Sequence, residues 1–210
     1  MNTTPPRNRG GRPAQVTREQ IVTAAIDLLD AQGLDALTMR ALGAHLGVAA
    51  MSLYRHVPGR DAVLSAIVNR LVADALTGLD PGPTWTEAVT GFATAYRRML
   101  LAHPHAVPLL ATHPVDVETA LPLLRGVLGR FTAAGIAQDD ALITIQSVGV
   151  YVLGHALAQV GTPPGAEEAG PPDPAARQYY DHWFTTGLNA LVTGFQHQYG
   201  DPAAPARPTA

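Results

Sequence analysis

Apolar residues recur along most of the chain at three- and four-residue spacing, the period of a helix buried along one side. Thr17 and Gln20 make a capping-box pattern ahead of a stripe of Ile21, Val22, Ala25, Leu28 and Leu29, which Gly33 closes. Thr38 caps a second, shorter helix carrying Leu42 and Leu46, and Gly47 stops it. A third helix is predicted over residues 50–56, ahead of Pro58. A fourth starts at residues 60–61 and carries Val63, Leu64, Ile67, Val68, Leu71 and Val72.

The run Asp80-Pro81-Gly82-Pro83 is the clearest internal break. Beyond it the helical period returns over residues 85–102, in a short piece after Pro104, and over 115–134, 138–160 and 179–199. Residues 161–174 are rich in Gly and Pro and predict a loop. No stretch alternates as a strand would, and no internal repeat occurs. The fold class is therefore all-α. A Pro/Arg/Gly arm (1–16) precedes a three-helix head (17–60), a linking helix with a helical body (61–200), and a Pro/Ala-rich tail (201–210).

Composition sharpens this picture in two places. Hydrophobic residues make up 47% and charged residues 15%, which is globular rather than disordered, and the lack of cysteine excludes a disulfide or thiolate-metal scaffold. The net charge of −3 hides an asymmetry: residues 1–60 carry seven Arg against four acids, while 61–210 carry seven Arg against thirteen. A basic front on an acidic body suits a polyanion partner at one end, or is a chance scatter of a few charges. No apolar leader opens the chain, and the uncharged run 141–160 is interrupted by Thr144, Gln146, Ser147, His155 and Gln159. It predicts a buried helix rather than a membrane span, and a soluble, cytoplasmic protein.

The second and third helices, joined by a Gly-containing turn, fit a helix-turn-helix. Gly43 is small where the two would cross, and Gly47 can take the left-handed backbone of the turn. With Leu42, Leu46, Val48 and Leu53 assigned to the core, the opposite face holds Met51, Ser52, Arg55 and His56, with Tyr54 at its flank. These groups can bond phosphate oxygens or base edges in a major groove; the alternative is a merely solvated face.

Residues 17–64, with "GLDALTMRALGAHLGV" and "SLYRHV" at their spacings, resemble the DNA-binding domain of the tetracycline-repressor (TetR) family of transcriptional regulators. The runs "RRMLLAHPHAVPLLATHP", "ALITIQSVGVYVLGHAL" and "FTTGLNALVTGF" are similar to that family's regulatory domain. The resemblance implies phosphate contacts by Thr38, Tyr54, His56 and Arg60, and a base contact by Arg40. Met51 and Ser52 would face base edges, with Ala50 or Met51 against a thymine methyl. Ala50 and Met51 stand where the tetracycline repressor has Gln and Pro, so a different operator is expected; Arg55 replaces a Trp. In the arm, Arg9 and Arg12 either enter a minor groove or merely solubilise the tail.

A single such head reads few base pairs, so a homodimer on a near-palindromic double-stranded DNA operator is expected. Phe184, Leu188, Leu191, Phe195 and Tyr199 form a stripe on the last helix, and Gly187 and Gly194 permit close approach, with the helix around Gly149 and Gly154 as partner. Tyr96, His103, Tyr151 and His155 are polar residues among apolar middle helices, the makeup of a small-molecule pocket. The resemblance aligns His103 with a drug-and-metal histidine, but places Ala158 and Phe92 where that site needs an acid and an asparagine. No metal, cofactor or tetracycline chelate is therefore expected, and His103, His105 and His113 lack metal-ligand spacing. The effector would be a small, mostly apolar molecule. No Gly-x-Ser-x-Gly, phosphate loop or His-Glu-x-x-His motif supports an enzyme. The competing reading is an all-α small-molecule binder or enzyme with a vestigial head.

Overall fold

The computed structural model describes residues 16–161 and 173–199, which form helices and turns without a strand. The arm with Arg9 and Arg12, most of the 161–174 loop and the tail lie outside the described residues. In order, the helices are α1 (Arg18–Gln32), α2 (Met39–His45), α3 (Ala50–Leu53), α4 (Arg60–Leu76), α5 (Trp85–Ala102), a 3-10 turn (Pro104–Ala106), α6 (Val107–Thr112), α7 (Val117–Ala133), α8 (Gln138–Val160) and α9 (Pro174–Tyr199).

The predicted caps form. Thr17 and Gln20 complete a reciprocal capping box, and Thr84 with Glu87 makes the same arrangement at α5. Gly47 adopts φ +68° at the turn between α2 and α3. At Gly43 a Cβ would lie 2.9 Å from Val48 O and 3.1 Å from Ala50 Cα, so only glycine lets α2 meet the start of α3 this closely.

Two elements differ from their predicted extent. The third helix ends at Leu53 rather than at residue 56; turn bonds from His56 N and Val57 N to Leu53 O carry the chain onward. Its N-cap is Ala49, which supplies no side-chain bond, and Val57 precedes a proline that disfavours helical backbone. The last helix begins earlier than expected, at Pro174, with Asp173 Oδ1 accepting from Ala176 N at 2.7 Å.

One core runs through head and body. Ile21, Leu29, Leu37, Leu42, Leu53 and Val57 lock the three head helices together, and α4 joins them through Val63, Leu64, Ile67 and Val68. In the body α5 packs against α4, α7, α8 and α9. Phe131 is fully buried, with the Trp85 ring 5.1 Å away. A side chain of this kind contributes roughly 1.5–3 kcal/mol by burial. α8 is long and apolar enough to cross a membrane by length and composition. Its two buried polar side chains nonetheless bond to protein: Thr144 Oγ1 donates to Asp140 O at 2.8 Å, and His155 Nε2 donates to Tyr180 O at 3.1 Å, while His155 Nδ1 is buried without a partner among the described residues.

Candidate DNA-reading face and effector cleft

Residues 38–60 contain Arg40, Arg55, Arg60, His45 and His56 and no acid. The fold separates this segment into two sides. Leu42, Leu53 and Val57 are almost wholly buried, whereas Met51 is 76% and Tyr54 46% exposed. Arg40 and Arg55 are exposed as well, and His56 is half-buried. A methionine open to solvent beside a tyrosine has no packing role within its own chain.

Within the described residues Arg40, Tyr54, Arg55 and His56 have no hydrogen-bond or ion-pair partner, so their donors are uncommitted. Thr38 Oγ1 accepts from Ala41 N at 3.1 Å as the α2 cap, and its own proton stays available. Ser52 is different: its hydroxyl donates to Ala49 O at 2.5 Å, which leaves it an acceptor. Ala50 is half-buried beside Met51.

Arg60 is also committed. Its Nε donates to Leu37 O at 2.7 Å and one terminal nitrogen to Leu34 O at 3.0 Å. The side chain expected to hold a phosphate staples α4 to the loop ahead of α2, so its first role is positional.

Beneath the head lies a cleft of about 450 Å³ between α4, α5, the α6–α7 corner and α8. Val72 and Leu76 of α4, Phe92 and Tyr96 of α5, and Leu153 of α8 are among the residues of its apolar wall. The Phe92 and Tyr96 rings stack at 5.9 Å and 12°. Burial pushes the Tyr96 phenol up to about 12, so it remains a donor at any ordinary pH. Two further polar groups reach the cleft, His113 and Gln146. Thr112 Oγ1 donates to the helix carbonyls Pro108 O (3.1 Å) and Leu109 O (3.2 Å), and His113 Nδ1 lies 3.0 Å from the same oxygen, which holds the ring by that edge. Among the described residues no Asp, Glu or Arg lines the cleft, and no cluster of three possible metal ligands occurs.

Of the four residues predicted to form the pocket, only Tyr96 lines this cleft. His103 Nδ1 is 2.8 Å from Asp30 Oδ2, and the ring lines a separate polar groove of about 400 Å³ between α1, α4 and α5. Tyr151 and His155 face α9. The Tyr151 hydroxyl lies 2.9 Å from Phe184 O and 3.1 Å from Trp183 O, and a Cβ on Gly187 would strike it. The His155 ring is 4.8 Å from that of Trp183. Burial, then the nearby Arg97 guanidinium, pushes its imidazole down. His113 and Gln146 were not predicted; the signal available was the Thr112-His113-Pro114 corner, which turns a histidine out of a helix end.

The stripe expected on the last helix is also redistributed. Phe184 and Leu188 are buried within the chain, and Gly187 lies against the Tyr151 hydroxyl. The large apolar residues left open on these two helices are Ile143 (53% exposed), Val150 (71%) and Leu157 (43%), seven residues apart on α8, and Tyr179 and Trp183 on α9.

An exposed, acid-free helix-turn-helix above a helical body that holds an uncharged cleft defines the class of two-part, all-α helix-turn-helix proteins. Residues 21–67 match the family described as "Bacterial regulatory proteins, tetR family", and residues 77–180 match "Tetracyclin repressor-like, C-terminal domain". The Escherichia coli tetracycline repressor protein class D is 30% identical over 206 residues, covering 88% of this chain and 91% of its own length. The chain belongs to the tetracycline-repressor family. An HTH-type transcriptional regulator of Saccharopolyspora erythraea is 35% identical over 144 residues, 69% of this chain; the match spans about three fifths (61%) of that relative's length. Among solved structures, the Streptomyces coelicolor TetR family protein ActR in complex with actinorhodin has TM-score 0.72 at 25% identity, over 90% of this chain and all of that one.

Proposed function

We propose that the protein is a sequence-specific DNA-binding transcriptional repressor that works as a homodimer and is released from its operator by a neutral, largely aromatic small molecule. One observation carries the reading: Arg40, Tyr54, Arg55 and His56 stand uncommitted around an exposed Met51, on a segment with no acid. The roles follow those the family resemblance implies. Tyr54, Thr38 and His56 donate to phosphates, Arg40 to a base edge, and Met51 with Ala50 meets a thymine methyl. Arg55 adds a further contact, Ser52 accepts from a base amino group, and Arg60 orients the head.

The stripe of Ile143, Val150 and Leu157 with Tyr179 and Trp183 supplies the dimer contact. Two heads on one two-fold axis then read a near-palindrome. The effector occupies the cleft, stacked on Tyr96 and Phe92, with polar contacts to Tyr96 and His113. The actinorhodin-bound relative supports an aromatic ligand. Such a regulator acts in the cytoplasm, where the DNA is.

Selection from a random duplex pool, followed by binding at rising salt, tests this. A near-palindromic winner bound by a dimer, with affinity falling steeply as salt rises, is the expected result. Enrichment of no sequence would overturn it.

A further inference from the structure

Helix α4 reaches both the head and the cleft. At its start Arg60 is bonded to Leu37 O and Leu34 O in the head; toward its end Val72 and Leu76 line the cleft. Between them stands Asn69, whose side chain leaves α4 to grip another segment. Its Nδ2 donates to Asp116 Oδ2 at 2.5 Å, and its Oδ1 accepts from Asp116 N at 3.0 Å.

Asp116 is the N-cap of α7, a position where an aspartate ordinarily accepts from the amides of its own helix. Here it makes no such bond, and the carboxylate is turned to α4 instead. The residues just before it, His113, Pro114 and Val115, form one wall of the cleft. One short segment therefore touches an occupant of the cleft and, through two directional bonds, the helix that carries the head.

We propose that the Asn69–Asp116 pair is the positioning contact by which occupancy of the cleft is passed to the DNA-reading head, an inference that rests on the effector reading above. The remaining contacts of α4 with the body are mainly apolar and tolerate small sliding; a reciprocal amide–carboxylate pair does not. An occupant that pushes residues 113–115 outward moves Asn69 with them, and the rigid helix turns that shift into a rotation of the head. Coupling is reciprocal, so DNA held by the head is felt at Asp116 with no effector present.

That reciprocity gives a test needing no identified ligand. Amide hydrogen exchange is followed on the full chain with and without the duplex recovered by selection. In the native protein DNA slows exchange in residues 38–60 and also changes it in 113–117, by about fivefold or more. In Asn69→Ala the head is still protected by DNA, while exchange in 113–117 no longer responds to it. The double variant Asn69→Asp/Asp116→Asn interchanges donor and acceptor, keeps both bonds, and restores the response. A purely structural pair would raise exchange in 113–117 equally with and without DNA, leaving their ratio unchanged.

The proposal is overturned if DNA protects the native head without altering 113–117, if Asn69→Ala keeps the native response, or if the double variant folds and stays uncoupled. Should DNA protect no part of the native head, the DNA-binding reading itself fails and the coupling role with it.

Discussion

Tyr54 and Tyr151 are the same residue type in opposite situations. The Tyr54 hydroxyl projects from the turn after α3, 46% exposed, without a partner in the described residues. The Tyr151 hydroxyl bonds to two carbonyls of α9, and its ring is stacked 6.0 Å from Phe184. Both look functional from the sequence, one in a reading head and one in a pocket helix. The head leaves Arg40, Tyr54, Arg55 and His56 without partners among the described residues, with Met51 exposed among them; the α8–α9 contact spends the hydroxyl of Tyr151 on packing. Unspent donors on a basic, acid-free surface point to a partner outside the chain, whereas satisfied ones hold the chain together.

The largest effect expected from breaking this contrast is on DNA binding. Arg40→Ala combined with Tyr54→Phe removes a base contact and a phosphate contact, worth about 3 kcal/mol together, or roughly 100-fold in operator affinity. Band shifts should show that loss while circular dichroism and melting stay native. On the other side of the comparison, Gly187→Val drives a side chain into the Tyr151 hydroxyl. It should cost about 1–3 kcal/mol of stability, read as a lowered Tm, with operator affinity intact at temperatures where the protein remains folded.

A smaller effect concerns pH. His155 is 3% exposed, and its imidazole is pushed down by burial and then by Arg97. The unfolded chain therefore takes up the proton first. The contribution of the neutral ring is fully present above about pH 6.5 and is lost as pH falls through that value toward the lower folded one. Melting from pH 8 to pH 5 should show a steeper loss for the native protein than for His155→Gln. The smallest effect on stability is that of Ser52→Ala. The Ser52 proton is spent on Ala49 O, so stability should change by no more than about 0.5 kcal/mol, while loss of its single acceptor contact to a base should weaken operator binding about fivefold.

Much of the fold was legible because helix period and capping are local. α5 and α8 run from Trp85 to Ala102 and from Gln138 to Val160 as their patterns predict, and Gly43 and Gly47 stand where a close crossing and a left-handed turn require them. The pocket was far less legible because it depends on what lies across from a side chain. His103 finds Asp30, 73 residues away, a pairing that periodicity does not encode. Tyr151 and His155 share one face of α8, four residues apart, and that face is turned to α9. Ile145, Gln146, Gly149, Val150 and Leu153 are the described residues of α8 that reach the cleft. The α9 stripe misled for a related reason: an apolar stripe records burial without naming the chain that buries it. Arg60 is a further case, since its two carbonyl partners belong to a loop whose path sequence alone does not fix.

One paired measurement tests the division between spent and unspent tyrosines. Operator affinity and Tm are determined for Tyr54→Phe and Tyr151→Phe, each of which deletes a single hydroxyl. Tyr54→Phe should weaken operator binding about tenfold with Tm unchanged, and Tyr151→Phe should cost about 1 kcal/mol of stability with affinity unchanged. If Tyr54→Phe binds its operator like the native protein, or if Tyr151→Phe proves to be the variant that loses DNA, the assignment of the head as the reading surface is contradicted.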